Sequence, residues 1–265
     1  MKICKSPKGL QKELYGKNSI GFVPTMGALH KGHKKLLEVA KFENEIIVLS
    51  IFVNPTQFLE GEDFSKYPRT IESDLEIARE IGVDFVFLPT PETIYFSDEI
   101  SILAPKVGGF ILEGEKRVGH FNGVLQVVLK LFNIVRPHRA YFGEKDWQQL
   151  SLIQGMVRDL FLPVEIVPVQ IVRDSDEVAL SSRNRYLSER ERELARKIPQ
   201  SLKIGKELLE KGENWEFTQK KISKNLSNLS VEYVELWNAR ILIAVKIGET
   251  RLIDNIGVKI ENFRS

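Results

Sequence analysis

The sequence predicts an α/β fold, a doubly wound, Rossmann-like parallel sheet, with a smaller α+β domain at its C-terminal end. Three observations point there. Strand and helix signals alternate through roughly the first two thirds of the chain, the pattern of a parallel sheet with crossover helices. Residues 46–53 are almost continuously apolar and β-branched, as a strand covered on both faces requires. A glycine-containing turn over residues 24–33 joins the first apolar strand to an amphipathic helix.

The elements follow in order. Residues 20–23 read as a short strand, and Leu36, Leu37 and Ala40 mark the buried stripe of the helix after it. Beyond the strand at 46–53, residues 69–81 read as helix and 84–88 as strand. Val124, Val127, Val128, Leu131, Phe132 and Val135 recur at helical spacing until Pro137 stops the helix. A strand at 140–142, a helix at 148–160 and a strand at 164–169 complete the alternation. After Arg173 the pattern changes to one charged helix over 188–211, with Ser188 as N-cap and Gly212 as its stop. A weaker helical pattern at 217–229 and strands at 231–237, 241–245 and 251–256 end the chain. The expected division is a larger domain over 1–173 and a smaller one over 174–265, with no repeats and no low-complexity segment.

With 265 residues, 43% of them apolar, each domain can bury a core. The 38 basic and 36 acidic side chains nearly cancel, so no long-range field gathers nucleic acid or an anionic membrane, and neither is an expected partner. A single cysteine, Cys4, excludes an intramolecular disulfide framework and suits a reducing compartment. The opening residues lack an apolar signal core, and no apolar run approaches the roughly 20 residues of a membrane span. The expectation is a soluble, cytoplasmic protein.

Four segments carry chemistry. The first is Pro24-Thr25-Met26-Gly27-Ala28-Leu29-His30-Lys31-Gly32-His33. At a strand-to-helix junction, outward backbone N–H groups and the helix dipole favour a phosphate, and Gly27 and Gly32 permit close approach. His30 and His33 share a face of the helix's first turn, where two imidazoles can donate to charge building on an α-phosphate. Zinc is disfavoured because no third soft ligand stands at suitable spacing, and no protein-held metal is expected. Neither G-x-G-x-x-G nor a P-loop follows this strand.

The second segment, Phe52-Val53-Asn54-Pro55-Thr56-Gln57-Phe58, follows a strand at the end where open α/β sheets bind ligands. Gln57 has an acceptor and two donors for a hydroxy acid's hydroxyl and carboxylate, against the plainer reading of a solvated turn. In the third, residues 141–149, Lys145 can meet a phosphate, Asp146 can cap a helix or meet ribose or magnesium, and Gln149 can face the same cavity. The plainer alternative is an ordinary charged helix start. The fourth joins Ile171-Val172-Arg173-Asp174 to Ala179-Leu180-Ser181-Ser182-Arg183-Asn184. Two hydroxyls and a guanidinium make a short anion clamp there, or else a polar interdomain turn. His120, at the start of the long helix, can support a pocket or serve the helix end. No Ser/His/Asp or Cys/His arrangement offers a nucleophile, so catalysis must rest on positioning and charge stabilisation.

The H-x-G-H turn resembles that of the nucleotidylyltransferase superfamily, and the fuller P-T-M-G-A-L-H-x-G-H resembles the pantothenate synthetase family, with later segments matching in order over most of the chain. The resemblance implies an ATP-dependent ligase that joins pantoate to β-alanine through a pantoyl adenylate, releasing pyrophosphate and AMP. It implies an ATP site of Met26, Gly27, Ala28, Leu29, His30, Lys31, Gly32 and His33 with Gly143, Glu144, Lys145 and Asp146. Val172 and Leu180 complete it, Val172 on the adenine side, with Ser181, Ser182 and Arg183 on the phosphates. Gln57 would touch pantoate and β-alanine, and Gln149 pantoate. His30, His33, Lys145 and Arg183 would be catalytic, Mg²⁺ would bridge the triphosphate, the C-terminal domain would close as a lid, and the chain would form a homodimer.

The chain departs from the family pattern at Val118, usually proline, and Glu177, usually glycine. Both lie in connections, where they bear on loop conformation. Two rivals remain at this point. A nucleotidylyltransferase acting on a phosphorylated acceptor would need a basic pocket where residues 54–57 are neutral. A silent nucleotide-binding protein would have less need of both histidines.

Overall fold

The computed structural model describes residues 1–259. It divides into two units, Met1–Gln170 and Ile171–Ser265. The first unit runs β1 (Lys2–Cys4), α1 (Pro7–Leu14), β2 (Ile20–Thr25), α2 (Lys31–Glu43), β3 (Ile46–Ile51), α3 (Ile71–Ile81) and β4 (Phe85–Phe87). The one-turn helices α4 (Pro91–Ile94) and α5 (Glu113–Lys116) follow, then α6 (His120–Val135), β5 (Arg139–Gly143), α7 (Trp147–Asp159) and β6 (Glu165–Val169). The six strands are parallel in the order β1-β4-β3-β2-β5-β6. The winding reverses at β2, which has β3 on one side and β5 on the other, so the ligand-binding crevice of such a sheet opens at their carboxyl ends.

Strand alternation sorts the apolar residues into two cores. Ile20, Phe22, Val48, Ala140 and Phe142 pack with α6 and α7 on one face, while Val23, Ile47, Leu49, Ile51 and Tyr141 pack with Leu36, Leu37 and Ala40 of α2 on the other. A strand covered on both faces has no place for a polar alternation, which is why 46–51 is apolar at nearly every position. Fully burying a side chain such as Phe22 or Leu37 contributes roughly 1.5–3 kcal/mol. α6 stops at Val135, with Arg136 in the left-handed region at φ 51° ahead of Pro137. The edge strand β1 and helix α1 are additions to the sequence reading; three extended residues are shorter than any periodicity window.

The second unit contains α8 (Glu189–Ala195), α9 (Lys197–Glu210), α10 (Trp215–Asn225) and the antiparallel sheet β7 (Ser230–Trp237), β8 (Arg240–Ile247), β9 (Thr250–Gly257). Its core gathers Leu202, Ile222, Leu226, Ile241, Ile243 and Val245. The single helix expected over 188–211 is two, α8 and α9, separated at Arg196. Pro199 is the reason: it offers no N–H to the Ala195 carbonyl and its ring crowds that carbonyl, whereas a helix's first turn accepts it. Ser188 does cap α8, in a capping box with Glu191. The unit boundary precedes Arg173, because Arg173 bridges to Ala179 and its guanidinium holds Asp254 at 2.6 and 2.9 Å, all within the second unit. Among the described residues no helix is long and apolar enough to cross a membrane.

Candidate functional site

The loop after β2 is shaped by a carboxylate that the sequence did not single out. Thr25 Oγ1 donates to the Ser50 carbonyl at 2.7 Å and accepts from Gly27 N at 3.1 Å. Ala28 N and Leu29 N then donate to the two oxygens of Asp74, at 2.9 and 2.8 Å. Asp74, on α3, is 1% exposed and also accepts from Thr70 Oγ1 at 3.2 Å. Gly27 has φ 83°, and a Cβ on it would lie 2.9 Å from Ile51 Cγ2 and 3.0 Å from Asp74 Oδ2, so conformation and space both demand glycine. In sequence, Asp74 is an acidic residue in the first turn of a helix, an ordinary place for one. Together with Thr25 Oγ1 it corrects the expectation of outward backbone donors at residues 27, 28 and 29, whose N–H groups are spent inside the protein.

What the loop presents instead is imidazole. His30 is the N-cap of α2, its Nδ1 accepting from Gly32 N at 3.1 Å, and His33 Nδ1 accepts from His30 N at 3.3 Å. The two rings lie 4.0 Å apart, tilted by 39°. A ring nitrogen that accepts carries no proton, so each neutral imidazole has its N–H on Nε2. Burial first, then the neighbouring His30 ring and the Lys145 ammonium, hold the His33 imidazole well below its ordinary range. His33 is therefore a neutral donor at pH 7.

Lys145 belongs to the turn after β5, so its influence on His33 joins the ends of the two switch-point strands. Its ammonium lies 3.4 Å from Asp146 Oδ1. Gly143 and Glu144 lead into the same turn. Gln148 faces inward, accepting from Glu113 N at 3.0 Å and donating to the Gly108 and Ile111 carbonyls at 2.8 Å, which ties down the segment before α6. The neighbouring Gln149 is half-buried, and its side-chain amide has no hydrogen-bond partner among the described residues.

At the end of β3, Asn54 is 1% exposed and orients Gln57. Asn54 Nδ2 donates to the Gly123 carbonyl at 3.2 Å, and its Oδ1 accepts from Tyr95 Oη at 2.6 Å and Thr56 N at 3.3 Å. These partners fix which end of the amide is which. The same Nδ2 donates to Gln57 Oε1 at 3.0 Å, turning Gln57 Nε2 toward Met26 Sδ, 3.0 Å away. Gln57 thus presents its amide donors; the acceptor expected to read a hydroxyl is engaged by Asn54. Sequence reasoning took Asn54 for a turn residue and passed over Tyr95, since only the fold brings residues 41 apart together.

Val172, Leu180, Ser181, Ser182 and Arg183 lie in the second unit. Leu180 N donates to the Val172 carbonyl at 3.0 Å, and Ser181 Oγ accepts from Arg183 N at 3.3 Å, starting a tight turn over Ser182–Tyr186. Between them Glu177 sits at φ 70°, a left-handed position that favours glycine. Arg192 braces that segment through Asp176 at 2.7 Å and Asp174 at 3.1 Å, and its hydrogen bond lowers the Asp176 carboxyl to about 2. Val118 is 66% exposed beside Gly119 at φ 89°, so its side chain has no buried role.

The pantoate-beta-alanine ligase family model matches residues 2–257. The pantothenate synthetase of Sulfurimonas denitrificans is 50% identical, covering 97% of this chain and 99% of its own. Pantothenate synthetase from Thermus thermophilus superposes with a TM-score of 0.93 at 39% identity, over 97% of this chain and 99% of that one. Pantoate-beta-alanine ligase from Francisella tularensis, solved in complex with beta-gamma ATP and beta-alanine, has a TM-score of 0.86 at 38% identity, covering 97% of each chain.

Proposed function

The chain belongs to the pantoate-beta-alanine ligase family, enzymes that condense pantoate with β-alanine at the expense of ATP, and on that premise we propose how its residues divide the chemistry. In the first step a pantoate carboxylate oxygen attacks the α-phosphorus of ATP; the bond to the β-phosphate breaks and pyrophosphate leaves. In the second, the β-alanine amine attacks the carbonyl of the pantoyl adenylate. The acyl–oxygen bond breaks, AMP departs and the nitrogen loses a proton.

The observation that carries this assignment is the tautomer of the two histidines. With both Nδ1 atoms accepting from the backbone, His30 and His33 offer two Nε2–H donors a ring's width apart, beside the Lys145 ammonium. Donors already in place where phosphate charge builds stabilise the transition state without reorganising. Met26, Gly27, Ala28, Leu29, Lys31, Gly32, Gly143, Glu144 and Asp146 frame the nucleotide in this reading. Ser181, Ser182 and Arg183 serve as a phosphate clamp in this reading, with Val172 and Leu180 for the adenine. Gln57 and Gln149 read pantoate, Gln57 by donating to its carboxylate or hydroxyl, and Gln57 also meets the incoming amine.

Magnesium enters with the nucleotide. Mg²⁺ prefers phosphate and water oxygens to a protein cage, so in this reading the triphosphate carries most of its coordination. Asp146, 45% exposed, is the carboxylate this chain can lend it. When bound, Mg²⁺ neutralises triphosphate charge and eases departure of pyrophosphate. The same reading makes the enzyme a cytoplasmic homodimer, supported by the lone buried Cys4 and by the family resemblance.

Pantoate-dependent exchange of pyrophosphate into ATP tests the assignment. His33→Ala should stay folded and lose at least about tenfold in exchange, since a donor to developing charge is worth roughly 3 kcal/mol. A folded variant exchanging at the wild-type rate would remove His33 from the chemistry.

A further inference from the structure

A second buried histidine lies beneath the turn that carries Gln57. The turn Pro55–Gln57 packs flush on the first turn of α6, so close that a Cβ on Gly123 would fall 2.2 Å from the Thr56 carbonyl oxygen. His120, 7% exposed at the head of α6, has Nδ1 2.7 Å from the Gln57 carbonyl oxygen and Nε2 3.0 Å from Arg117 Nη1. A guanidinium nitrogen only donates, so Nε2 must accept and the ring proton lies on Nδ1, donating to Gln57. Arg117 Nη2 reaches the same carbonyl at 3.3 Å, and Arg117 grips Glu62 through two bonds of 2.6 Å. Glu62 in turn accepts from Leu59 N at 3.2 Å. The segment from Gln57 to Glu62 is thereby clasped at both ends by one short span before α6.

We propose that His120, backed by Arg117, is a positioning residue for pantoate: it holds the Gln57 carbonyl and so sets the direction in which the Gln57 amide points. The proposal rests on Gln57 reading pantoate. With Oε1 held by Asn54 and the backbone carbonyl held by His120, Gln57 is tied on both sides of its side chain, leaving Nε2 a single direction. The Nε2–Arg117 contact requires a neutral ring, and the ring is neutral. Burial first, then the Arg117 charge, lowers its pKa to about 4 against the opposing pull of the Gln57 carbonyl, Glu113 and Glu62.

Asparagine and glutamine separate the two ring nitrogens. The amide of His120→Asn stands where Nδ1 stood and can still donate to Gln57; that of His120→Gln stands where Nε2 stood and cannot. His120→Gln should raise the KM for pantoate about tenfold, the equivalent of roughly 1.4 kcal/mol for one lost hydrogen bond, and leave the KM for ATP unchanged. His120→Asn should restore pantoate KM to within about threefold of wild type. Gln57→Ala serves as the control: if it leaves pantoate KM unchanged, the reading of Gln57 is wrong, whatever His120 does. If Gln57→Ala raises pantoate KM and His120→Gln does not, the positioning role is overturned. Equal damage by Asn and Gln, spread over both substrates with lowered melting temperatures, overturns it too, by making His120 a packing residue. Should His120→Gln fail to fold, Glu62→Gln loosens Arg117 from outside: a rise in pantoate KM alone supports the clasp, and unchanged kinetics refute it.

Discussion

Replacing Asp74 with asparagine tests how far a buried carboxylate governs the loop after β2. The two side chains have nearly the same shape, so no cavity opens. Asp74 supplies one oxygen to Ala28 N and the other to Leu29 N, at 2.9 and 2.8 Å. Asparagine keeps one oxygen and puts an NH₂ group where the second was, donor against donor. One charged hydrogen bond, worth roughly 1.5–3 kcal/mol, disappears, and a buried N–H is left without an acceptor. Thr70 Oγ1, now 3.2 Å from Oδ1, can turn to the remaining oxygen and recover part of the loss. The net expectation is a destabilisation of about 2–4 kcal/mol, which urea unfolding reads as a lower midpoint with an unchanged slope. Because Leu29 immediately precedes the N-cap His30, the displaced loop should also raise the KM for ATP and slow exchange. The KM for pantoate should move less, since Gln57 is oriented by Asn54. A variant within about 0.5 kcal/mol of wild type, with normal ATP kinetics, would refute the view that Asp74 shapes this loop.

Two further predictions follow from the same geometry. If Arg183 holds two phosphate oxygens as proposed, Arg183→Lys keeps the charge but loses the planar fork, so ATP affinity and turnover should both fall; unchanged values would reduce the Ser-Ser-Arg segment to a turn. His120 should make folding stability depend on pH. Its folded pKa of about 4 lies below the ordinary 6.5, so the unfolded chain binds the proton more readily. The contribution is complete above pH 6.5 and drains away as pH falls toward 4, by about 2 kcal/mol between pH 7 and 5. Urea melts at those two pH values should show that much less loss for His120→Asn than for wild type, and equal losses would mean the ring is not held neutral.

The local parts of the molecule were legible in the sequence because they rest on short-range causes. A strand buried on both faces has to be apolar at successive positions, as residues 46–51 are, and a helix facing the sheet has to repeat as Val124, Val128 and Val135 do. The chemical types were legible as well. Two imidazoles, a lysine and an amide at the carboxyl ends of strands are residue types suited to phosphate and carboxylate, though each alone also reads as an ordinary turn or helix start. The break at Arg196 was written in Pro199, though a reading by periodicity alone ran through it.

What only the tertiary structure decided is which atoms these groups have left to offer. Asp74 reaches Ala28 across 46 residues and His120 reaches Gln57 across 63, separations no local pattern registers. The first turns the expected backbone donors inward and the second fixes the Gln57 backbone, while shorter contacts that exist only in the folded loops put the ring protons of His30 and His33 on Nε2 and commit the acceptor of Gln57 to Asn54. A sequence names the donors and acceptors a chain owns. Hydrogen bonding is exclusive and directional, so what remains for a substrate is known only once the folded chain has taken its share.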